Sequence, residues 1–383
     1  MSVKEFLQKL SEAHGVSGYE HALRDLVIEE FKPHADEITV TPMGSVIALR
    51  RGTRDARAAR KSPAPKVLIE GHIDEIGLMV TEIDHGLLRF TQVGGFDVRV
   101  LPAQQVIVHG KQPLPGIIGI RPTHVLTAED REKVIPMIDL WIDLGMSETR
   151  VRELVQVGDL ITIDRKLVSL KNNLVAGKAF DDRAAVACVA LALKQLAATK
   201  HTWDVYAVAN TQEEVGLKGA QTSTYRVNPD VAIAVDVGHA DQPNVSDVDA
   251  VPLNGGMGIA VGPNIHPLVF ERLCQLANEN EIPFKIDPQE GATGTNAWAM
   301  QVVREGIPTG LIDIPLRYMH TSVETVSITD LERIARLLAL FCASLDDKFL
   351  KQIRGEAVEE SNIEPVAKRK VKTVKRKTTR GRK

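Results

Sequence analysis

The chain changes texture twice, and that change limits its fold more than any single residue does. Up to His72 it reads as two helices followed by apolar strands. VKEFLQKLSEAHG sets Val3, Phe6, Leu7 and Leu10 on one helical side, and residues 18–32 repeat the pattern with Leu23, Leu26, Val27 and Phe31. Strand-like segments are expected from Glu37 to Arg50 and from Val67 to Gly71, separated by a basic, proline-containing loop from Arg50 to Lys66. After His72 come GLMVTEI, GLLRFTQV, QQVIVHG, LPGIIGI, MIDLWIDL and DLITIDRK, short β-rich pieces broken by glycine and proline. One helical turn is expected among them at Ser147 to Val155. Short strands at this spacing indicate a small barrel or sandwich-like unit.

Beyond Lys178 the pattern reverts. Asp182 to Ala198 is alanine-rich and helical, and WDVYAVANT, VAIAVDVG and GIPTGLIDIP read as buried strands. Helices fit Pro267 to Glu279, Thr295 to Glu305 and Thr329 to Leu350. Strands alternating with helices imply an α/β fold with a central mixed or parallel sheet covered on both faces. The expected organisation is a catalytic α/β unit over 1–73 and 171–350, an inserted β-rich unit over 74–170, and a disordered basic tail over 351–383.

Composition narrows the function classes. Hydrophobic residues make up 44% of the 383, enough for a large core, while aromatics at 4% are too few for a platform that stacks single-stranded nucleic acid. No apolar run approaches about 20 residues, and MSVKEFLQKL lacks a signal-peptide core. Cys188, Cys274 and Cys342 are dispersed and read as thiols in a reducing compartment, so a cytoplasmic location is expected. From Lys368 to Lys383 there are ten basic and no acidic residues, which leaves −13 for the rest of a chain whose formal net charge is −3. Such an arm suits contact with nucleic acid, an acidic partner or a membrane surface, or simply adds solubility.

The chemistry starts at LIEGHIDEIG, where His72 and Asp74 stand two residues apart at the end of a strand. Alternate residues of an extended chain share a face, which suits a metal-ligating imidazole steadied by a carboxylate. Alone, such a pair is more often ordinary surface polarity. Four further strand ends add to it: KAFDDR with Asp181 and Asp182, VANTQEEVG with Glu213 and Glu214, VDVGHA with Asp236 and His239, and RYMHTSVE with Arg317, His320 and Glu324. GATGTNAWAM opens a helix between the last two. Each acidic pair by itself fits a helix N-terminus or a solvated surface. Together they converge on the crevice where open α/β sheets bind ligands.

HIDEIG at 72–77, FDDR at 180–183, QEEVG at 212–216, Asp236 and RYMH at 317–320 resemble the M42 glutamyl aminopeptidase family, in order over residues 3–348. The resemblance implies a zinc-peptidase-like fold and two divalent ions per chain, zinc or cobalt. Asp181 would bridge them, His72 and Asp236 would complete one site, and Glu214 and His320 the other. Glu213 would be the general base and proton shuttle, and Asp74 would orient His72. The peptide bond of the Asp181–Asp182 type is often cis in such enzymes. The implied reaction is hydrolysis of the first peptide bond of short peptides. The implied assembly is a homo-oligomer, from dimers to hollow dodecamers, built through the inserted unit. Asn296 departs from the family's GTD aspartate and bears on specificity more than on chemistry.

Competing readings remain at this level. A deacylase or deacetylase acting on acylated amino acids would use the same centre. A nucleic-acid-associated protein would depend on the basic tail and not on His72 or Glu213. A glycosidase, a name that relatives sometimes carry, needs two carboxylates beside a sugar cleft and has no use for the histidines.

Overall fold

The computed structural model describes residues 1–54, 63–246 and 250–356. Part of the basic loop and residues 357–383 of the tail expected over 351–383 lie outside the described residues, while the first three residues of that stretch belong to the helix Asp347–Ile353.

The strands, in chain order, divide between two cores. β1 (Glu37–Val40), β2 (Val46–Arg50) and β3 (Lys66–His72) enter the main sheet. β4 (Gly77–Asp84), β5 (Leu87–Val93), β6 (Gln105–His109), β7 (Pro113–Gly119), β8 (Trp141–Asp143) and β9 (Leu160–Ile163) close a barrel in the order β4-β5-β8-β7-β6-β9. β10 (Val168–Ser169) and β11 (Leu174–Gly177) form a three-stranded sheet with β17 (Glu324–Ser327). Between them come β12 (Asp204–Asn210), β13 (Val231–His239), β14 (Met257–Val261), β15 (Phe284–Pro288) and β16 (Thr309–Leu316). The main sheet has the order β1-β2-β12-β3-β13-β16-β14-β15. Its centre, β12-β3-β13-β16, is parallel, with antiparallel joins at β2 and β14, so the sheet is mixed.

Alternation along β3 assigns the two faces. Val67 and Ile69 pack with the helices Val3–Glu12, Phe180–Leu196 and Ile328–Ser344, whereas Leu68 packs with Lys218–Val227 and Asn296–Gln301. The helix Phe180–Leu196 is buried nearly all round because its alanines let it lie directly on β3. A methyl group at Gly71 would stand 2.6 Å from Ala185 Cβ, so glycine is what permits that approach. The barrel has its own core, including Leu78, Val108, Ile142 and Ile161. The junction between the units is tied by Glu75, which accepts from Lys178 Nζ at 2.6 Å and Arg183 Nη2 at 3.1 Å.

Several elements differ from expectation. Residues 37–50 form a hairpin, β1 against β2, turned at Gly44 with φ +103. The expected helix from Thr329 to Leu350 is two helices, Ile328–Ser344 and Asp347–Ile353, because Asp346 caps the second by accepting from Phe349 N. The helix expected at Thr295 to Glu305 spans only Asn296–Gln301. Among the described residues no helix is long and apolar enough to cross a membrane.

Candidate metal centre

The parallel strands deliver the candidate residues to one end of the sheet. His72 is the last residue of β3 and is register partner to Asn210, the last of β12. Glu213 and Glu214 follow β12 directly, and Asp236 lies near the end of β13. Asp181 sits where the chain enters the helix Phe180–Leu196, and its φ and ψ of −75 and 101 are not helical. The Asp181–Asp182 peptide is cis, as the resemblance implied.

Asp181 occupies the middle of the group. Its Oδ1 lies 3.3 Å from His72 Nε2 and its Oδ2 lies 3.2 Å from His320 Nε2. His320 Nε2 is also 3.6 Å from Glu214 Oε1, and His72 Nε2 is 3.8 Å from Glu213 Oε2. Three clusters bring their donor atoms within 4.8 Å of one another: His72, Asp181 and Asp236; Asp181, Glu214 and His320; and His72, Glu213 and Glu214. Asp181 is common to the first two, with one oxygen toward each imidazole.

Electrostatics show what the group lacks. Among the described residues, Asp181, Glu213, Glu214 and Asp236 pair with no lysine or arginine; His72 and His320 are the imidazole partners of the first three. Burial pushes the Glu213 and Glu214 carboxyls up to about 9 and Asp236 up to about 7, with neighbouring carboxylates adding to the rise. Burial also opposes charge on Asp181, yet the two imidazoles hold its carboxyl well below the usual range. Burial lowers His72 as well, but Glu213, Asp181 and Asp74 outweigh it and leave the imidazole well above its ordinary value. A crowd of buried carboxylates with two imidazoles and no fixed cation is a donor set that fits divalent metal.

A shell of neighbours holds these side chains. Asp74 Oδ1 accepts from Glu213 N at 3.0 Å and Oδ2 from Glu214 N at 3.1 Å. Ser17 Oγ donates to the same Oδ2 at 2.6 Å, and His72 Nδ1 faces Asp74 Oδ1 at 3.3 Å. Asp182 is not in any cluster; it accepts from His72 N at 3.2 Å. Glu324 was singled out in the sequence without a role. Its Oε2 accepts from Phe180 N and Asp181 N, and its Oε1 from His320 N, so one carboxylate aligns two donor-bearing loops. Burial pushes it up to about 8.

The remaining candidates lie outside the clusters. Arg317 pairs with Asp241 at 2.8 Å and thereby ties the His320 loop to the segment after β13. His239 is exposed at the rim of the adjoining cavity. Asn296 Nδ2 and Asn210 Nδ2 each donate to Glu70 Oε2 at 2.8 Å. The amide at Asn296 therefore serves a buried carboxyl that burial pushes up to about 8. Ser17 stands in no motif, and Glu70, though inside LIEGHIDEIG, carries no local sign of the two amides that donate to it.

Comparison with known proteins agrees with this arrangement. The model of the family described as M42 glutamyl aminopeptidase matches residues 52–337. The lysyl aminopeptidase of Pyrococcus furiosus is 35% identical, over 87% of this chain and 94% of that protein. A TET aminopeptidase structure from the marine sediment archaeon Thaumarchaeota archaeon SCGC AB-539-E09 superposes with a TM-score of 0.85 at 32% identity, covering 92% of this chain and 99% of that one. The TET1 peptidase of Pyrococcus horikoshii, which can assemble into a tetrahedron or a large octahedral shell, gives 0.78 at 32%, covering 90% and 100%. A mixed sheet with a closed barrel beside it, a buried donor set for two cations at the strand ends and these likenesses along the chain lead to one assignment: this protein belongs to the M42 glutamyl aminopeptidase family and is a metal-dependent aminopeptidase.

Proposed function

We propose that the chain removes the N-terminal residue of short peptides at a centre in which His72 and Asp236 hold one divalent cation, Glu214 and His320 hold a second, and Asp181 is shared. The observation that carries this reading is the division of Asp181, one oxygen toward each histidine and each inside its own donor cluster. Mixed imidazole and carboxylate donors favour zinc or cobalt. When bound, the cations supply Lewis acidity that polarises the scissile carbonyl and acidifies water.

The protein's own groups do the rest. Glu213 takes a proton from the attacking water as the carbon–oxygen bond forms, and returns it to the departing amine nitrogen as the carbon–nitrogen bond breaks. Asp74 fixes the peptide of Glu213 and Glu214 and faces Nδ1 of His72, so it sets both the base and a ligand.

Metal-loaded protein hydrolysing leucine p-nitroanilide, and sparing its N-acetylated form, is the expected result. Preference for the acetylated compound would turn the reading into a deacylase. His320→Ala is expected to lower bound metal from two ions per chain to one by elemental analysis, and unchanged stoichiometry would remove His320 from the ligand set.

Metal uptake should also release protons. Without metal, the Glu213 and Glu214 carboxyls at about 9 and Asp236 at about 7 hold protons at mildly acid pH. A cation must displace them, so apparent affinity falls as pH falls, about tenfold per unit for each proton displaced. Titration calorimetry in buffers of different ionisation enthalpy measures that release, and its absence below pH 7 contradicts the ligand assignment.

The inserted barrel region, 74–170, is the natural seat of self-association. Ile117, Val125, Val134 and Ile138 are more than half exposed there, a set of large apolar side chains that supports an interface between copies. Light scattering of the metal-loaded protein tests for a homo-oligomer. Three thiols, none in a disulfide, support a reducing, cytoplasmic setting.

A further inference from the structure

Three successive amides run through Glu213 and its two neighbours, and each is received by a buried carboxylate. Gln212 N donates to Glu20 Oε1 at 3.1 Å, Glu213 N to Asp74 Oδ1 at 3.0 Å and Glu214 N to Asp74 Oδ2 at 3.1 Å. β12 has already ended at Asn210, so the sheet no longer sets this backbone. Gln212 is left-handed there, with φ +55, a conformation that a residue with a side chain keeps only where its surroundings enforce it. Successive amides turned to one side form a concavity that holds anions.

Both carboxylates are tied to one short loop, residues 13–20, between the helices Val3–Glu12 and His21–Phe31. Ser17 of that loop donates to Asp74 Oδ2. Glu20 stands at its end, is 3% exposed, and accepts from Gly18 N at 2.7 Å through the same oxygen that receives Gln212 N. Its side chain makes no capping bond to the helix that follows, so its bonds serve the loop and Gln212 instead. The loop is itself braced. Gly15 N donates to Glu75 Oε1 at 3.0 Å, Glu75 N to Gly15 O at 3.0 Å, and Arg183 Nη1 to Ala13 O at 2.8 Å. At the barrel, the His14 ring stacks on His109 with centroids 4.3 Å apart. A carboxylate on a loop held from several sides keeps its bonded partner in one geometry.

We propose that Glu20 is a positioning residue for the general base: by fixing the amide of Gln212 it aims the Glu213 carboxylate at the attacking water. Glu20 belongs to none of the donor clusters and lines neither cavity that reaches them, so it acts through the backbone and not on substrate or cation. The contact spans 192 positions of the chain. The inference rests on the reading of Glu213 as the base and adds the element that sets it.

The test compares Glu20→Ala, Glu20→Asp and Glu20→Gln in the metal-loaded protein on leucine p-nitroanilide, with bound metal and Tm measured in each. Glu20→Ala is expected to keep two ions per chain and KM within about threefold while kcat falls about 10–100-fold, the scale of losing a supporting partner or of misplacing a reacting group. Glu20→Asp keeps a carboxylate but withdraws it by one methylene, so it gives the same split and serves if the alanine variant does not fold. Glu20→Gln is expected to hold kcat within about threefold of the unsubstituted enzyme, because an amide oxygen accepts the same bond. The deciding measurement repeats the damaging substitution in a Glu213→Gln background. With the base gone its aim no longer matters, so the further loss is expected to shrink to less than about threefold. An equal loss in both backgrounds overturns the proposal, as does unchanged kcat in Glu20→Ala and Glu20→Asp. Full activity of Glu213→Gln alone would instead overturn the assignment of the base.

Discussion

Glu213→Gln is expected to leave the protein folded with two ions per chain while lowering kcat by about 10²–10⁴-fold, the usual contribution of a positioned acid–base group. The substitution keeps shape and removes only the ability to accept a proton. Glu213 N remains bonded to Asp74 Oδ1, so the backbone that also carries Glu214 stays in place. Burial, with the neighbouring carboxylates of Asp236, Glu214 and Asp181, pushes the Glu213 carboxyl up to about 9, too high for a base at neutral pH. Nearby dications favour the carboxylate and pull it back toward the working range. The companion Glu214→Gln separates the neighbours, because a ligand's loss should cost metal before it costs chemistry. Elemental analysis with single-turnover rates reads both. Activity of Glu213→Gln within about threefold of the unsubstituted enzyme would assign the proton transfer elsewhere.

Asp181→Asn is expected to have the broader effect. One amide replaces a carboxylate that faces two imidazoles at 3.3 and 3.2 Å, and its nitrogen cannot ligate a cation. Both clusters that contain Asp181 lose a donor, and the group loses the negative charge shared between them. Metal affinity is expected to fall by more than the 10–100-fold typical of losing an outer partner, with bound metal below two ions per chain and hydrolysis lost in parallel. Excess metal should restore little of the rate, which distinguishes this variant from one that merely binds less tightly. Two tightly held ions per chain in Asp181→Asn would rule out a shared ligand at this position.

The position of the candidate ligands was written into the chain because strand ends are local features. HIDEIG, QEEVG and VDVG each follow an apolar run, and a parallel sheet brings such ends together whatever its strand order. The barrel was likewise legible, since glycine and proline break the region after His72 into short strands. Other features were not. The residues 218–227 form a helix although QTSTYRV is rich in β-branched residues, because Ala220 and Val227 pack on the sheet and that burial outweighs local preference. The break at Asp346 hides inside a continuous amphipathic pattern, because a capping aspartate looks like any exposed acid until its bond to Phe349 N is seen.

The sequence by itself determined the α/β class, the inserted β-rich region and which strand ends hold carboxylates and imidazoles, because apolar periodicity and strand-end placement act over a few residues. Only the tertiary structure decided what those groups do to one another. Ser17 reaches Asp74 across 57 positions, Glu324 spans 143 to the amide of Asp181, and Asp313 becomes the neighbour of Asp236 through strand pairing. Such partnerships are set by sheet order and register, which bring residues distant in the chain to one face, and no local pattern encodes them.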